Sequence, residues 1–251
     1  MIISITDCKK MEILAIIPAR GGSKGLPGKN ILPLNEHPLL AYSVAAGLET
    51  PEITRVICST DSDVIAKVAQ EYGAETPFMR PSEFAQDHSS DLEAFIHALE
   101  WLENNEGYVP DIVVQLRPTS PIRFIPDIQS AINCLINNPE IDSVRAVAEP
   151  TTTPYKMWTI NEQDFLLPLL TLPGNPEPYN TARQELPEIW AQTGTLEVIR
   201  TSTIMNKKSM TGDKICALKI DSDTYIDIDT LNSLLLAEIV MKDIDCVKPQ
   251  I

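Results

Sequence analysis

Up to about Pro150 the sequence switches repeatedly between short apolar runs and segments of helical period, and few folds accommodate that pattern. ILAIIP at 13–18, ITRVICST at 53–60 and DIVVQL at 111–116 read as strands. Between and after them, PLLAYSVAAGL, DVIAKVAQEYG with Gly73 as its stop, DLEAFIHALEWLENN and the stretch around IQSAINCLI read as helices. The third of these places Leu92, Phe95, Ile96, Leu99 and Leu102 on one face. Alternation of this kind predicts βαβ units, hence an α/β fold with a mainly parallel sheet covered by helices on both faces. In such sheets ligands bind at the carboxyl ends of the strands, which is where IIPARGGSKGLPGKNI, Ser59-Thr60-Asp61 and the residues after Leu116 fall.

The first of these segments sets Arg20, Lys24 and Lys29 among Gly21, Gly22, Gly25 and Gly28. Ordering so many glycines is entropically costly, so a bound anion that the backbone must approach closely is the physical motive for keeping them. The loop is not a P-loop, since Gly28-Lys29 is followed by Asn30 and Ser23 stands where the first glycine belongs, and no G-x-G-x-x-G occurs. Its exposed N–H groups, an arginine fork and two lysine charges make it a candidate phosphate cradle of another kind, with a mobile basic surface loop as the competing reading.

The second candidate is TYIDIDT at 224–230. As a strand it presents Asp227 and Asp229 on one face and packs Ile226 and Ile228 the other way. Two adjacent carboxylates suit a hard divalent cation shared with substrate phosphates; the bland alternative is edge protection of a strand. Together with the cationic loop they specify metal-dependent nucleotidyl or phosphoryl transfer.

A net charge of −15 over 251 residues argues against a nucleic-acid or anionic-membrane surface, so the scarce positive charge has local work to do. No apolar run approaches the ~18 residues needed to span a bilayer. MIISITDCKK lacks the parts of a signal peptide, which makes a cytoplasmic protein the expectation. Five scattered cysteines without a C-x-x-C pair read as reduced thiols, and His37, His88 and His97 share no metal-ligand spacing; His97 reads as structural. Residues 1–11 read as a leader, 12–243 as one domain and 244–251 as a tail. From 151 to about 190 the chain turns Pro-rich and extended, with Leu166, Leu167, Leu169, Leu170 and Leu172 outside any core pattern, and reads as an inserted arm.

PARGGSKGLPGKN, STD at 59–61, RPSEFAQD at 80–87, LRPTSPIR at 116–123, RQELP at 183–187 and DIDT at 227–230 resemble, in that order, the motifs of the acylneuraminate cytidylyltransferase family. The resemblance implies a Rossmann-like nucleotidyltransferase fold. It also implies a reaction in which the anomeric hydroxyl of a 3-deoxy-2-keto sugar acid attacks the α-phosphate of CTP, giving a CMP-sugar and pyrophosphate with Mg²⁺ or Mn²⁺. By the same resemblance Ala19, Arg20, Gly21, Gly22, Ser23 and Lys24 hold the triphosphate, and Lys29, Asn30, Arg80, Ser90 and Asp91 surround the nucleoside. Gln115, Arg117, Thr119, Ser120, Arg123, Arg183 and Gln192 belong to the sugar site, Asp227 and Asp229 to the metal. Arg20, Lys24 and Asp229 are the implied catalytic groups, with Asp229 helping to deprotonate the sugar hydroxyl. The arm implies a homodimer in which Lys156 or Arg183 approaches the partner's sugar site.

Three positions depart from the family's pattern. Arg117 stands where relatives carry Gln, and Gln192-Thr193-Gly194-Thr195 replaces an Asn-Gly-Ala-like stretch, so the sugar side chain is expected to differ from that of N-acetylneuraminate. Asp91 replaces a small hydroxyl residue beside the base. It is expected to cap the following helix; the competing reading has its carboxylate reading the base, in which case GTP rivals CTP.

Overall fold

Alternate side chains of the first strand are buried to opposite sides, and the rest of the architecture follows from that. The computed structural model describes residues 10–22 and 25–250; the leader expected over 1–11 therefore lies almost entirely outside them, as do Ser23 and Lys24. Strand β1 (Ile13–Pro18) leads through the glycine-rich loop to two short antiparallel strands, β2 (Pro33–Leu34) and β3 (His37–Pro38), and then to α1 (Leu39–Glu49). β4 (Arg55–Ser59), α2 (Asp63–Glu71), α3 (Asp91–Glu106), β5 (Ile112–Gln115), α4 (Ile125–Asn137) and β6 (Ser143–Ala148) continue the alternation. The arm carries a small hairpin, β7 (Trp158–Ile160) with β8 (Leu166–Pro168). The chain then returns through the long β9 (Ala191–Arg200), the short α5 (Thr201–Met205) and β10 (Ile215–Lys219) to α6 (Leu231–Asp243).

The main sheet has the order β10-β6-β9-β5-β1-β4. β1 pairs in parallel with both β4 and β5, β10 with β6, while β9 runs antiparallel to both its neighbours. It is thus the mixed, mainly parallel sheet that the alternation predicts. Ile13, Ala15 and Ile17 face a core completed by α1, α2 and α4, whereas Leu14 and Ile16 face one completed by α3 and α5. A third cluster joins Leu34, Leu39, Tyr42 and Ile122 to Ile226, Ile228 and the inner face of α6. The chain leaves β1 toward β4 and comes back to β5 on its other side, so the crevice at the carboxyl end of β1 is a topological switch point.

One expected strand is absent. Residues 224–230 are irregular, because they run beside the loop after β5 through a single backbone bond, Ile228 N to Thr119 O at 2.7 Å, rather than along a partner strand. The alternation of faces survives, with Ile226 and Ile228 buried and Asp227 and Asp229 exposed. Among the described residues no helix is long and apolar enough to cross a membrane, and Cys58, Cys134, Cys216 and Cys246 are free thiols. The arm keeps Trp158, Ile160, Phe165, Leu166, Leu167, Leu169 and Leu170 exposed to solvent.

α1 lies so close to the sheet that it passes over β4 at a glycine. A Cβ on Gly47 would sit 2.9 and 3.1 Å from the two γ-carbons of Val56. Both are methyls of a stiff β-branched side chain in a strand, so the helix itself must shift. Gly47→Ala is therefore expected to destabilise the fold by about 1–3 kcal/mol in spite of alanine's better helix propensity, read as a lower urea midpoint with unchanged slope.

Candidate active site

Five segments converge on the switch point, each fixed by a different device. The glycine-rich loop is tied at its start by Ala19 N to Ser59 O at 3.0 Å and by Gly21 N, which donates to Asp61 Oδ1 at 2.7 Å. It ends in a 3₁₀ turn over Lys29–Ile31, entered through Gly28 in the left-handed region at φ 68°. The buried amide of Asn30 donates to Arg20 O at 2.9 Å and so stitches one end of the loop to the other. Arg80, also buried, bonds Ser59 Oγ at 3.1 Å and Ser59 O, which holds the RPSEFAQD segment against the end of β4.

The loop after β5 is held from beneath by Arg123. Its fully buried guanidinium donates to Thr195 O at 2.7 Å, Ser43 Oγ at 3.1 Å and Arg117 O at 2.6 Å. Burial pulls its pKa down to about 9, against the opposing pull of Asp227, so it stays charged at neutral pH. Arg123, expected as a sugar contact, is enclosed; it positions the loop instead. Two glycines admit the fifth segment. A Cβ on Gly25 would lie 3.1 Å from Asp229 O, and one on Gly194 would lie 2.9 Å from Ser120 Oγ and 3.9 Å from Asp227 Oδ1. The backbone of Asp229 is fixed further by the capping box of α6, since its N–H donates to Ser233 Oγ at 3.1 Å.

The glycine-rich loop, the RPSEFAQD segment with the start of α3, and the loop after β5 line an open cavity of about 290 Å³, and residues 224–230 meet it through the ion pair of Lys29 with Asp229. Its walls include Arg20, Lys29, Asn30, Arg80, Ser90, Asp91, Arg117 and Thr119 from the sequence-based set, together with Phe84, Gln86, Asp87 and Ser89, to which the sequence reading assigned no role. The concentration of four cations here, in a chain of net charge −15, is the electrostatic signature of the site. Arg20 donates to Gln86 O at 2.7 Å and lies 3.2 Å from Asp87. Lys29 Nζ lies 2.7 Å from Asp229 Oδ1.

Asp91 is not the cap of α3. Ser90 is: its hydroxyl accepts from Glu93 N while Glu93 reaches back to Ser90 N at 2.8 Å. Asp91, one residue further on, turns Oδ2 to Arg117 at 2.6 Å and to the amide of Gln115 at 3.0 Å. Arg117 also lies 3.6 Å from Glu197, which bonds Arg145 at 2.8 Å, and Arg145 bonds Gln192 at 2.8 Å. Glu197 is 2% exposed in the middle of β9, and a charge inside the apolar run TLEVIR was the signal that could have revealed it. In this chain of charges Gln115 Oε1, Arg117 Nε, Arg145 Nε and Glu197 Oε1 are buried without a hydrogen-bond partner. Native folds leave few such atoms, and their clustering here is a feature of the charge network packed behind the cavity wall.

Other expected residues lie apart from the cavity. Arg183 pairs with Glu149 at 3.3 Å and donates to Pro150 O at 2.9 Å, at the base of the arm, where it borders a separate hollow of about 530 Å³. Gln115 is buried behind the cavity wall, Ala19 is wholly buried, and Gln192 reaches the site only through Arg145. His97 packs between Phe78 and Phe84 at 5.0 and 5.7 Å, and burial lowers its pKa, in keeping with a structural role.

Asp227 and Asp229 meet the chemical requirements of a hard cation in part. They offer exposed oxygen donors on one side of a segment anchored by two buried isoleucines. Ser120 Oγ approaches Asp227 Oδ1 only at 3.5 Å. Among the described residues no three His, Cys, Asp or Glu side chains form a metal-holding group. A Mg²⁺-like ion, which takes one or two carboxylates and completes its shell with phosphate and water, fits this donor set; a structural metal does not.

A doubly covered α/β sheet with a cation-lined cavity at its switch point is suited to receiving an anionic ligand at the carboxyl ends of its strands. The chain belongs to the cytidylyltransferase family, whose model matches residues 14–163. It is 32% identical over 235 residues to the CMP-N,N'-diacetyllegionaminic acid synthase of Legionella pneumophila, covering 92% of this chain and 97% of that one. It is 27% identical over 232 residues to a pseudaminic acid cytidylyltransferase of Campylobacter jejuni, covering 92% and 97%. The fold matches a CMP:2-keto-3-deoxy-manno-octonic acid synthetase solved with CTP, at a TM-score of 0.67 and 17% identity over 92% of this chain and 98% of that one.

The cap assignment separates two adjacent residues. Ser90→Ala is expected to lower stability by about 1 kcal/mol. Asp91→Asn, which leaves the cap and an acceptor for Gln115 in place, is expected to lower it by about 0.5 kcal/mol or less. Urea unfolding of the two variants checks the order.

Proposed function

We propose that this cytidylyltransferase activates a nonulosonic acid, transferring CMP from CTP to the anomeric hydroxyl of a 3-deoxy-2-keto sugar acid with release of pyrophosphate. The observation that carries this reading is the cavity at the end of β1, where Arg20, Lys29, Arg80 and Arg117 gather. The names of the Legionella and Campylobacter relatives support the acceptor class.

Phosphoryl-type transfer needs in-line positioning and neutralisation of oxygen charge more than a covalent intermediate. In the proposed mechanism Arg20, Lys24, Lys29 and the N–H groups of Gly22 and Ser23 hold the triphosphate, while the N–H of Gly21 holds the loop to Asp61. Arg80, Asn30 and Ser90 border the nucleoside. Arg117 sets a fixed cation near the acceptor's carboxylate, with Thr119, Ser120 and Gln192 on the same side and Arg123 and Gln115 holding the wall. Asp227 and Asp229 would hold Mg²⁺ or Mn²⁺, which would supply Lewis-acid neutralisation of phosphate charge. Asp229 assists loss of the hydroxyl proton as the new bond to the α-phosphorus forms and pyrophosphate leaves. CTP is favoured over GTP because Asp91 already spends Oδ2 on Arg117 and Gln115, which removes the two-oxygen match that guanine requires.

The arm, over about 151–190, is proposed as a dimerisation insertion for a homodimer, supported by the exposed apolar side chains from Trp158 to Leu170, with Lys156 or Arg183 against the partner's sugar site. Sedimentation equilibrium at micromolar concentration is expected to give a dimer that Leu166→Glu with Leu167→Glu converts to monomer; a monomeric wild type refutes it.

Pyrophosphate release with CTP or GTP and a panel of nonulosonic acids tests the reaction. Release with CTP is expected, falling by at least ~10²-fold in Asp229→Asn, the scale of one preorganised electrostatic element. Release with a different sugar class would reassign the acceptor, and none with any pair would leave a nucleotide-binding protein.

A further inference from the structure

Three cations of the cavity are each held by a carboxylate of the chain itself. Arg20 lies 3.2 Å from Asp87, Lys29 2.7 Å from Asp229 and Arg117 2.6 Å from Asp91. The protein thus places its own carboxylates against cations that the proposed function assigns to substrate anions. Of the three pairs, Lys29–Asp229 stands out, because Asp229 has a second use in that reading as a ligand of the divalent cation.

Both halves of this pair are held by their backbones. Lys29 opens the 3₁₀ turn that follows left-handed Gly28, and its side chain is 13% exposed. Asp229 is fixed through Ser233, through the bond of its neighbour Ile228 to Thr119, and by the close approach of Gly25. Two anchored segments 200 residues apart in sequence therefore meet at one carboxylate oxygen. An ammonium in hydrogen-bond contact with Oδ1 and a divalent cation on the same oxygen repel one another at close range, and Lys29 neutralises half the charge of the Asp227–Asp229 pair.

We infer that Lys29 is a latch on Asp229: it occupies the cation's carboxylate in the nucleotide-free protein and releases it when a triphosphate takes Nζ. Nucleotide and divalent cation then bind with positive coupling, and each raises the affinity of the other by the same factor. The inference rests on the proposed assignment of Asp227 and Asp229 to the cation. Phosphate oxygens that ligate the cation directly raise its affinity as well, so the nucleotide-free protein is the diagnostic state.

The test is titration of nucleotide-free protein with Mn²⁺, following free ion by electron paramagnetic resonance. Lys29→Met, with Lys29→Gln as a second variant in case the first misfolds, is expected to bind Mn²⁺ about three- to tenfold more tightly than wild type, the scale of losing one partly exposed ion pair and one like-charge contact. Lys29→Arg, which keeps the charge, should stay near wild type. Arg20→Met removes an equal charge from the same cavity but from Asp87 rather than Asp229, and should change the affinity less than about twofold. Equal tightening in Arg20→Met, or none in either neutral Lys29 variant, overturns the latch. Asp229→Asn is expected to weaken Mn²⁺ binding strongly; if it does so while the Lys29 variants gain nothing, the latch alone falls, and if Asp229→Asn binds like wild type, the cation assignment falls and takes the latch with it.

Discussion

The structure is organised by the burial of β1 on both faces. Ile13, Ala15 and Ile17 need apolar cover on one side, Leu14 and Ile16 on the other, and only flanking strands with helices above and below supply both. With β4 and β5 as parallel neighbours on its two sides, β1 lies where the strand order reverses, and the crevice opens at its carboxyl end. Every segment of the candidate site enters that crevice from the end of a strand or the edge of a buried cluster. The third cluster gives the late segment 224–230 its place, because Ile226 and Ile228 pack with Leu34, Leu39 and Ile122 and so bring Asp229 within reach of Lys29.

Charge is the second organising constraint. A chain of net charge −15 concentrates cations in the crevice, and each is matched there by a carboxylate or by backbone oxygen. The buried members carry the highest electrostatic stake. Arg123 satisfies its guanidinium with two carbonyls and a hydroxyl, and Glu197 sits between Arg117 and Arg145. Breaking such a set at one member leaves an uncompensated buried charge, which costs far more than the intact pair contributes. The same economy of matched charges makes the cavity responsive, since an anionic substrate competes directly with the internal carboxylates.

The belonging of the chain to the cytidylyltransferases and the geometry of its crevice reinforce one another at different scales. The family match covers residues 14–163, the half of the chain that builds β1 to β6 and the beginning of the arm. Asp91 and Arg117, two of the three positions expected to depart from the family's pattern, are partners of one another, so those two expectations meet in a single feature of the site. The cation after β5 and the carboxylate at the start of α3 neutralise each other in direct contact in the cavity wall.

Local pattern was enough to read the strands β1, β4 and β5, helices α1 to α4, the loop that ends β1 and the pair of aspartates, because period, glycine spacing and charge placement are properties of neighbouring residues. It was also enough to assign Ile226 and Ile228 inward and Asp227 and Asp229 outward, although the segment that achieves this is not a strand. Contacts between residues far apart in sequence were decided only by the tertiary structure. Asp91 exchanged a capping role for Arg117 because Ser90 lay one position earlier and β5 brought Arg117 within reach. Arg123 was withdrawn from the sugar side into the core by carbonyls of β9 and its own loop. Lys29 met Asp229, and Glu197 was enclosed between two arginines, because sheet order and the packing of α6 bring them together, and no period in a one-dimensional sequence encodes which strand lies beside which.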